Sequence, residues 1–403
     1  MAKIYSSIGL VFIVLLQAYS QQDVKSRSAA YYFEKGEEAL KNKSYKTALA
    51  HFNECLRLSP FYMDAYYSRA LVRESMGDKQ GALTDYNIYL DAKPDDKEAL
   101  FSRAIGRYNY GQWAVAKEDF QKLLTMPGGE TNTVYFQSDQ NGGGVTKVFT
   151  AQDNLTPTFL NYLGLIETKL TNYKAAEVHF DSAIKLNPGN ADFYLNRGLA
   201  KLLAGDSTGA KSDLNQTLTL NPESSLAKHN LAILTSWIGN STEKEKLLNE
   251  AIENNPLPYS FAERGSLYMK TGNLSGALAD YSEAIRLDPT EVDYWLNRGI
   301  VKEQSNDVKG ALADYKRVLE LKPDYEKGWL NHGNASVKLN RLSDAIEDYT
   351  VAITYYPEYG LAFYNRALTY HRMGKKELAC KDLTAATRYE IVVEKKIFDT
   401  ICK

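Results

Sequence analysis

The stretch Gly276-Ala277-Leu278-Ala279-Asp280-Tyr281-Ser282-Glu283-Ala284-Ile285-Arg286-Leu287-Asp288-Pro289 recurs 34 residues on, from Gly310-Ala311-Leu312-Ala313-Asp314-Tyr315 to Pro323. In both copies an aromatic residue follows Ala by four positions and Pro follows the aromatic by eight. Twelve residues before each Ala stands a small residue, Gly265 and Gly299. The same four-point pattern occurs at Gly36/Ala48/Phe52/Pro60, Ala70/Ala82/Tyr86/Pro94, Gly164/Ala176/Phe180/Pro188 and Gly333/Ala345/Tyr349/Pro357. Weaker copies begin at Ala104, Gly198, Ala232 and Ala367, and the copy from Ala232 has Lys244 where Ala is expected. Of the nine intervals between first small residues, seven are 34, one is 33 and one is 60. Self-similarity at such a period is the signature of a stacked repeat architecture.

Numbered so that the first small residue is position 8, each period carries Gly or Ala at 8, Ala at 20, an aromatic at 24 and Pro at 32. This pattern resembles the tetratricopeptide repeat over about residues 29–390, in ten copies that keep phase. The resemblance implies an all-α fold, a right-handed superhelix of helix-turn-helix repeats (an α-solenoid). Small residues let paired helices approach, the aromatic fills the space between neighbours, and Pro ends the second helix. The chain departs from the family at position 11, where Tyr is common and Tyr268 supplies it. Position 4 is Trp at Trp295 and Trp329. The expected layout is residues 1–20 as a signal peptide, 21–28 as a linker, 29–127 as repeats one to three, 128–156 as an insertion, 157–390 as repeats four to ten, and 391–403 as a capping helix.

Lys3, the apolar run Ile8–Leu16 and the small residues Ala18 and Ser20 have the order of a secretory signal peptide cleaved near Ser20–Gln21. The apolar run falls short of the ~20 residues a membrane-spanning helix needs. The expected location is therefore periplasmic or extracellular, without stable membrane insertion. Lys and Arg number 48 against 50 Asp and Glu, with no basic run, so nothing points to nucleic acid.

Position 7 is Arg in six repeats (69, 103, 197, 264, 298 and 366), and position 23 is Asp in the same six (85, 119, 213, 280, 314 and 382). The two positions are equidistant from the turn near position 15, which predicts an Arg–Asp bridge inside each repeat. The alternative is an Arg ladder for an anionic ligand.

The insertion reads as a β-hairpin. Two β-prone stretches, with Tyr135 and Phe136 in the first and Phe149 in the second, flank Asn141-Gly142-Gly143-Gly144. A flexible loop is the other reading. These three aromatic residues are its candidate contacts. Cys380 and Cys402 follow an ending seen in exported tetratricopeptide proteins of the Bacteroidota, and the resemblance implies a disulfide pinning the cap; two free thiols are the alternative.

The five His lie in five different repeats, and no metal, nucleotide or nucleophile motif occurs, so no cofactor, no metal and no enzyme activity is expected. The family's concave face, lined by positions 2, 5, 6, 9, 12 and 13, implies a protein or peptide partner. Its candidate contacts are the position-6 amides Asn196, Asn230, Asn297, Asn331 and Asn365, with Tyr67, Phe101 and Tyr364 at position 5. An Asn amide can pair with a peptide backbone or satisfy its own helix. The family's carboxylate clamp is missing: Asn334 and Asn365 fit, but Leu330 stands where Lys belongs. The expected function is a scaffold or adaptor outside the cytoplasm. A glycan or cell-wall ligand in the groove and a secretory-pathway cochaperone are the alternatives.

Overall fold

The computed structural model describes residues 28–126, 135–138, 145–149, 155–237 and 239–403. The residues expected to form a signal peptide, 1–20, and residues 21–27 of the expected linker lie outside these residues. Among the described residues the helices form ten antiparallel pairs followed by one more helix. Typical pairs are α3 (Met63–Ser75) with α4 (Lys79–Ala92), and α15 (Val292–Gln304) with α16 (Val308–Leu321). The chain divides into two compact units, Met1–Gln216 and Thr217–Lys403.

Each pair turns at position 15, where the backbone is left-handed in all ten repeats. Six are Gly, which adopts positive φ without a Cβ clash. The others are Lys43, Thr171, Asn306 and Asn340. An Asp or Asn often follows as the cap of the second helix: the Asp78, Asn273 and Asp307 side chains accept from the N–H groups of Gly81, Gly276 and Gly310.

The repeat anchors are the core. The nine Ala residues at position 20 are fully buried, and every residue at position 24 is at most 1% exposed. At position 8 four repeats accommodate Ala, but beside the Tyr315 and Tyr349 rings the fit requires glycine. A Cβ on Gly299 or Gly333 would sit 2.5 or 2.6 Å from the ring of Tyr315 or Tyr349.

Between repeats three and four, Tyr135–Ser138 and Val145–Phe149 pair antiparallel. A hairpin as a packed part of the architecture is not supported. The joining and flanking residues, and the side chains of Tyr135, Phe136 and Phe149, lie outside the description. The helices on either side stack directly: Phe120 lies parallel to Tyr162 at 4.9 Å between centroids, and Phe101 meets Phe159 at 5.2 Å. At the other end α21 (Lys395–Cys402), shorter than the expected 391–403, packs Ile397, Phe398 and buried Ile401 against Leu368, Ala379 and Leu383. It covers the open face that a terminal repeat otherwise exposes.

Candidate functional site

The six Arg–Asp bridges form as the spacing predicts, and every one is bidentate. Arg69 Nε and Nη2 lie 2.8 and 2.7 Å from the Asp85 oxygens, and Arg298 pairs with Asp314 at 2.9 and 2.7 Å. Two features went unread in the sequence. The remaining nitrogen, Nη1, reaches position 25 of the preceding repeat in all six. It bonds Asn53, Asn87, Asp181, Asn249, Ser282 or Thr350. Each Arg therefore staples two repeats, and its three nitrogens are all engaged, leaving no ladder for an anion. The second feature is the cation at position 11: Arg73, Arg107, Lys201 and Lys302 bond the same Asp at 2.7 to 2.9 Å. The signal was present in the sequence as the missing Tyr at that position. In five repeats the Arg also lies 4.9 to 5.7 Å from the ring of the position-4 aromatic, which gives that aromatic a charge to face. Repeat nine uses His332 instead, 2.8 Å from Asp348.

With the repeated charges accounted for, the groove positions remain. Phe101 is 3% exposed, within the core, and Tyr67 packs against Tyr86 and Tyr89. Both were expected in the groove. Position 5 is drawn inward because its ring meets the position-24 ring of the same repeat. Tyr364 lies in the cluster under the cap helix. Four of the five amides are tied down. Asn230 and Asn331 donate to the carbonyl four residues back, Asn196 donates to Asn161, and Asn365 donates to Asn334. Asn297 has no side-chain hydrogen bond among the described residues, and it lines a pocket of about 300 Å³.

That pocket opens at groove positions of three successive first helices, α11 (Ser225–Trp237), α13 (Pro258–Lys270) and α15. Its walls include His229, Tyr259, Glu263, Asp293, Tyr294 and Asn297. Sequence reading missed His229, Tyr259, Glu263, Asp293 and Tyr294. Glu263 occupies position 6, where five repeats have Asn. It is held from behind by Lys244, the 3%-exposed residue that replaces Ala at position 20, through a short Nζ–Oε1 contact. A buried ammonium is tolerated only with such a partner. Burial pushes His229 down to about 4, so its ring is neutral near pH 7; its Nδ1 lies 3.2 Å from Ser260 Oγ and its ring meets that of Tyr259 in a T-shaped contact. Burial and the carboxylates of Glu291, Asp288 and Asp293 push Tyr294 up to about 12. Among the described residues no group of three metal-ligating side chains occurs, and no helix is long and apolar enough to cross a membrane.

The first unit carries a titrating group at groove position 12. Glu74 accepts from Tyr86 Oη at 2.8 Å, and burial pushes its carboxyl up to about 7. Because the folded value lies above the unfolded one, this group's contribution is full below about pH 4.5 and is lost as pH rises through 7. Stability of the first unit should fall between pH 5 and 8, by up to ~3 kcal/mol. Glu74→Gln should flatten that slope. Equal denaturant midpoints for wild type and variant at both pH values would exclude the effect.

The tetratricopeptide repeat family matches residues 33–97, 162–227 and 330–389, with further matches at 265–306 and 292–325. Together these cover more than half of the chain. Tetratricopeptide repeat protein 16 of Macaca fascicularis is 28% identical over 149 residues, 36% of this chain and 15% of its own length. DnaJ homolog subfamily C member 3 of Rattus norvegicus is 23% identical, with 70% of this chain and 55% of its own length aligned. The chain thus spans only part of the curated relatives it matches. Among solved structures, the C-terminal part of a TPR repeat-containing protein from Cytophaga hutchinsonii aligns with a TM-score of 0.49 at 17% identity. That alignment covers 59% of this chain and 97% of that one.

Proposed function

From the premise that the chain belongs to the tetratricopeptide repeat family, we propose that it is a non-enzymatic scaffold outside the cytoplasm that holds a partner protein segment in its groove. Proteins of this family generally mediate protein–protein interactions. The observation that carries the reading is the pocket across three first helices, with Asn297 uncommitted at its wall. An amide supplies both donor and acceptor to an extended backbone, and Tyr259 and Tyr294 supply flat surface beside it. Affinity capture from the native envelope fraction with the full chain should recover a protein that the Tyr259→Ala/Asn297→Ala variant does not. Recovery of glycan without protein would overturn the proposal.

Action outside the cytoplasm is supported by the signal-like N-terminus and by the closeness of Cys380 and Cys402. Their Cα atoms are 4.9 Å apart, within the roughly 4.4–6.8 Å that a disulfide spans. A disulfide there would pin the cap in an oxidising compartment. Thiol counting on the denatured chain, isolated under alkylation, should then find Cys55 alone, whose buried thiol is pushed up to about 11 in the fold. Three titrating thiols would remove both the bond and this support for export.

A further inference from the structure

The second unit departs furthest from its own repeat rules at one place, and the departures there converge. The repeat from Ala232 replaces the buried Ala of position 20 with Lys244, and the Arg–Asp pair of positions 7 and 23 with Leu231 and Leu247. The next repeat replaces the groove Asn of position 6 with Glu263, and Lys244 reaches forward to hold it. An ammonium at 3% exposure is costly to fold around. Its effect is to fix a carboxylate on the groove wall, where every neighbouring repeat is content with an amide.

The same pocket is lined by Asp293, exposed, in the first turn of α15. Tyr325 Oη donates to its Oδ1 at 2.7 Å. A carboxylate accepts at both oxygens. Asp293 gives Oδ1 to Tyr325 and Glu263 gives Oε1 to Lys244, so each keeps a second oxygen for a ligand. The rings of Tyr259 and Tyr294 and the uncommitted amide of Asn297 line the same pocket. No cation on the walls opposes this charge: Lys244 is spent on Glu263, and His229 is neutral.

We propose that this pocket takes a basic side chain, the guanidinium or ammonium of an Arg or Lys carried by the partner segment, between Glu263 and Asp293 and against the faces of Tyr259 and Tyr294. The assignment rests on the groove reading above and narrows it from any segment to a basic one. Two carboxylates with flanking aromatic faces match a cation by Coulomb attraction and by the ring quadrupole together. An acidic side chain entering the same space would meet like charge, and the lining offers it neutral donors only. The site thus discriminates by repulsion as well as by attraction.

The test uses a displayed library of random peptides panned against the full chain. Recovered peptides should share an Arg or Lys at one position. Their affinity should fall about tenfold, the loss of one charge-assisted contact, in the near-isosteric Asp293→Asn variant. Added salt should weaken the wild type more than the variant. Asn in place of Asp293 still accepts from Tyr325, and an unchanged circular dichroism melt verifies the fold. Peptides that bind through the groove, lost on Tyr259→Ala, but carry no basic position or ignore Asp293→Asn, overturn this inference and leave the groove reading standing. Failure to enrich any peptide overturns both.

Discussion

Replacing Asp314 by Ala should destabilise the second unit by about 3–5 kcal/mol, the cost of stranding buried charge. The residue is 4% exposed at its side chain, and among the described residues it is the carboxylate that pairs with both Arg298 and Lys302, themselves 16% and 19% exposed. Asp280→Ala should cost less, because position 11 of that repeat is Tyr268 and only Arg264 loses its partner. The two sites also differ in rescue. Removing both ends of the Arg264–Asp280 pair, as Arg264→Met/Asp280→Leu, should recover most of the loss. The same treatment of Arg298 and Asp314 should not, since Lys302 is left unpaired; only the addition of Lys302→Met should restore stability. Hydrogen exchange across α15 and α16, with denaturant midpoints, reads these losses locally. That matters because repeat arrays need not unfold in one step. Equal loss in the Asp280 single and double variants would sink the pairing argument.

Glu263→Ala should be nearly as damaging, about 3–5 kcal/mol at neutral pH, because it leaves the Lys244 ammonium buried without a counter-charge. Its pH dependence has a definite sign. An unpaired buried lysine has its pKa depressed below the unfolded value, so the unfolded chain binds the extra proton and stability of the variant should rise with pH. The double variant Lys244→Ala/Glu263→Asn restores what most other repeats carry at positions 20 and 6. It should be at least as stable as the wild type while losing the pocket's fixed carboxylate. A double variant as unstable as Glu263→Ala would show that Lys244 is needed for packing and not for charge.

Most of the fold is legible in the sequence because its determinants are local and repeated. Ala311 and Tyr315 are buried for the same reason as Ala48 and Phe52: each holds one fixed place between two helices of one repeat. The Arg–Asp pair is legible because both partners fall within a single period and vary together. The site was less so. Asn196, Asn297 and Asn331 occupy one repeat position and look alike in sequence, yet one bonds a neighbouring repeat, one its own helix, and one faces the pocket. An amide's partner depends on what the adjacent repeat presents. Phe101 was expected to face the groove for the same reason, and it is Phe120 and Phe159 that enclose it.

The sequence by itself determined the period, the helix pairs, the buried small and aromatic anchors, and the bridge inside each repeat. These follow from contacts a few turns apart along one chain, so a linear pattern suffices to state them. Only the tertiary structure decided what happens between repeats. The third nitrogen of each Arg was placed there, and so were the second cation on four of the six Asp residues and the Lys244–Glu263 contact that sets a carboxylate in the groove. Such contacts depend on how one pair of helices sits against the next, and no single repeat carries that information.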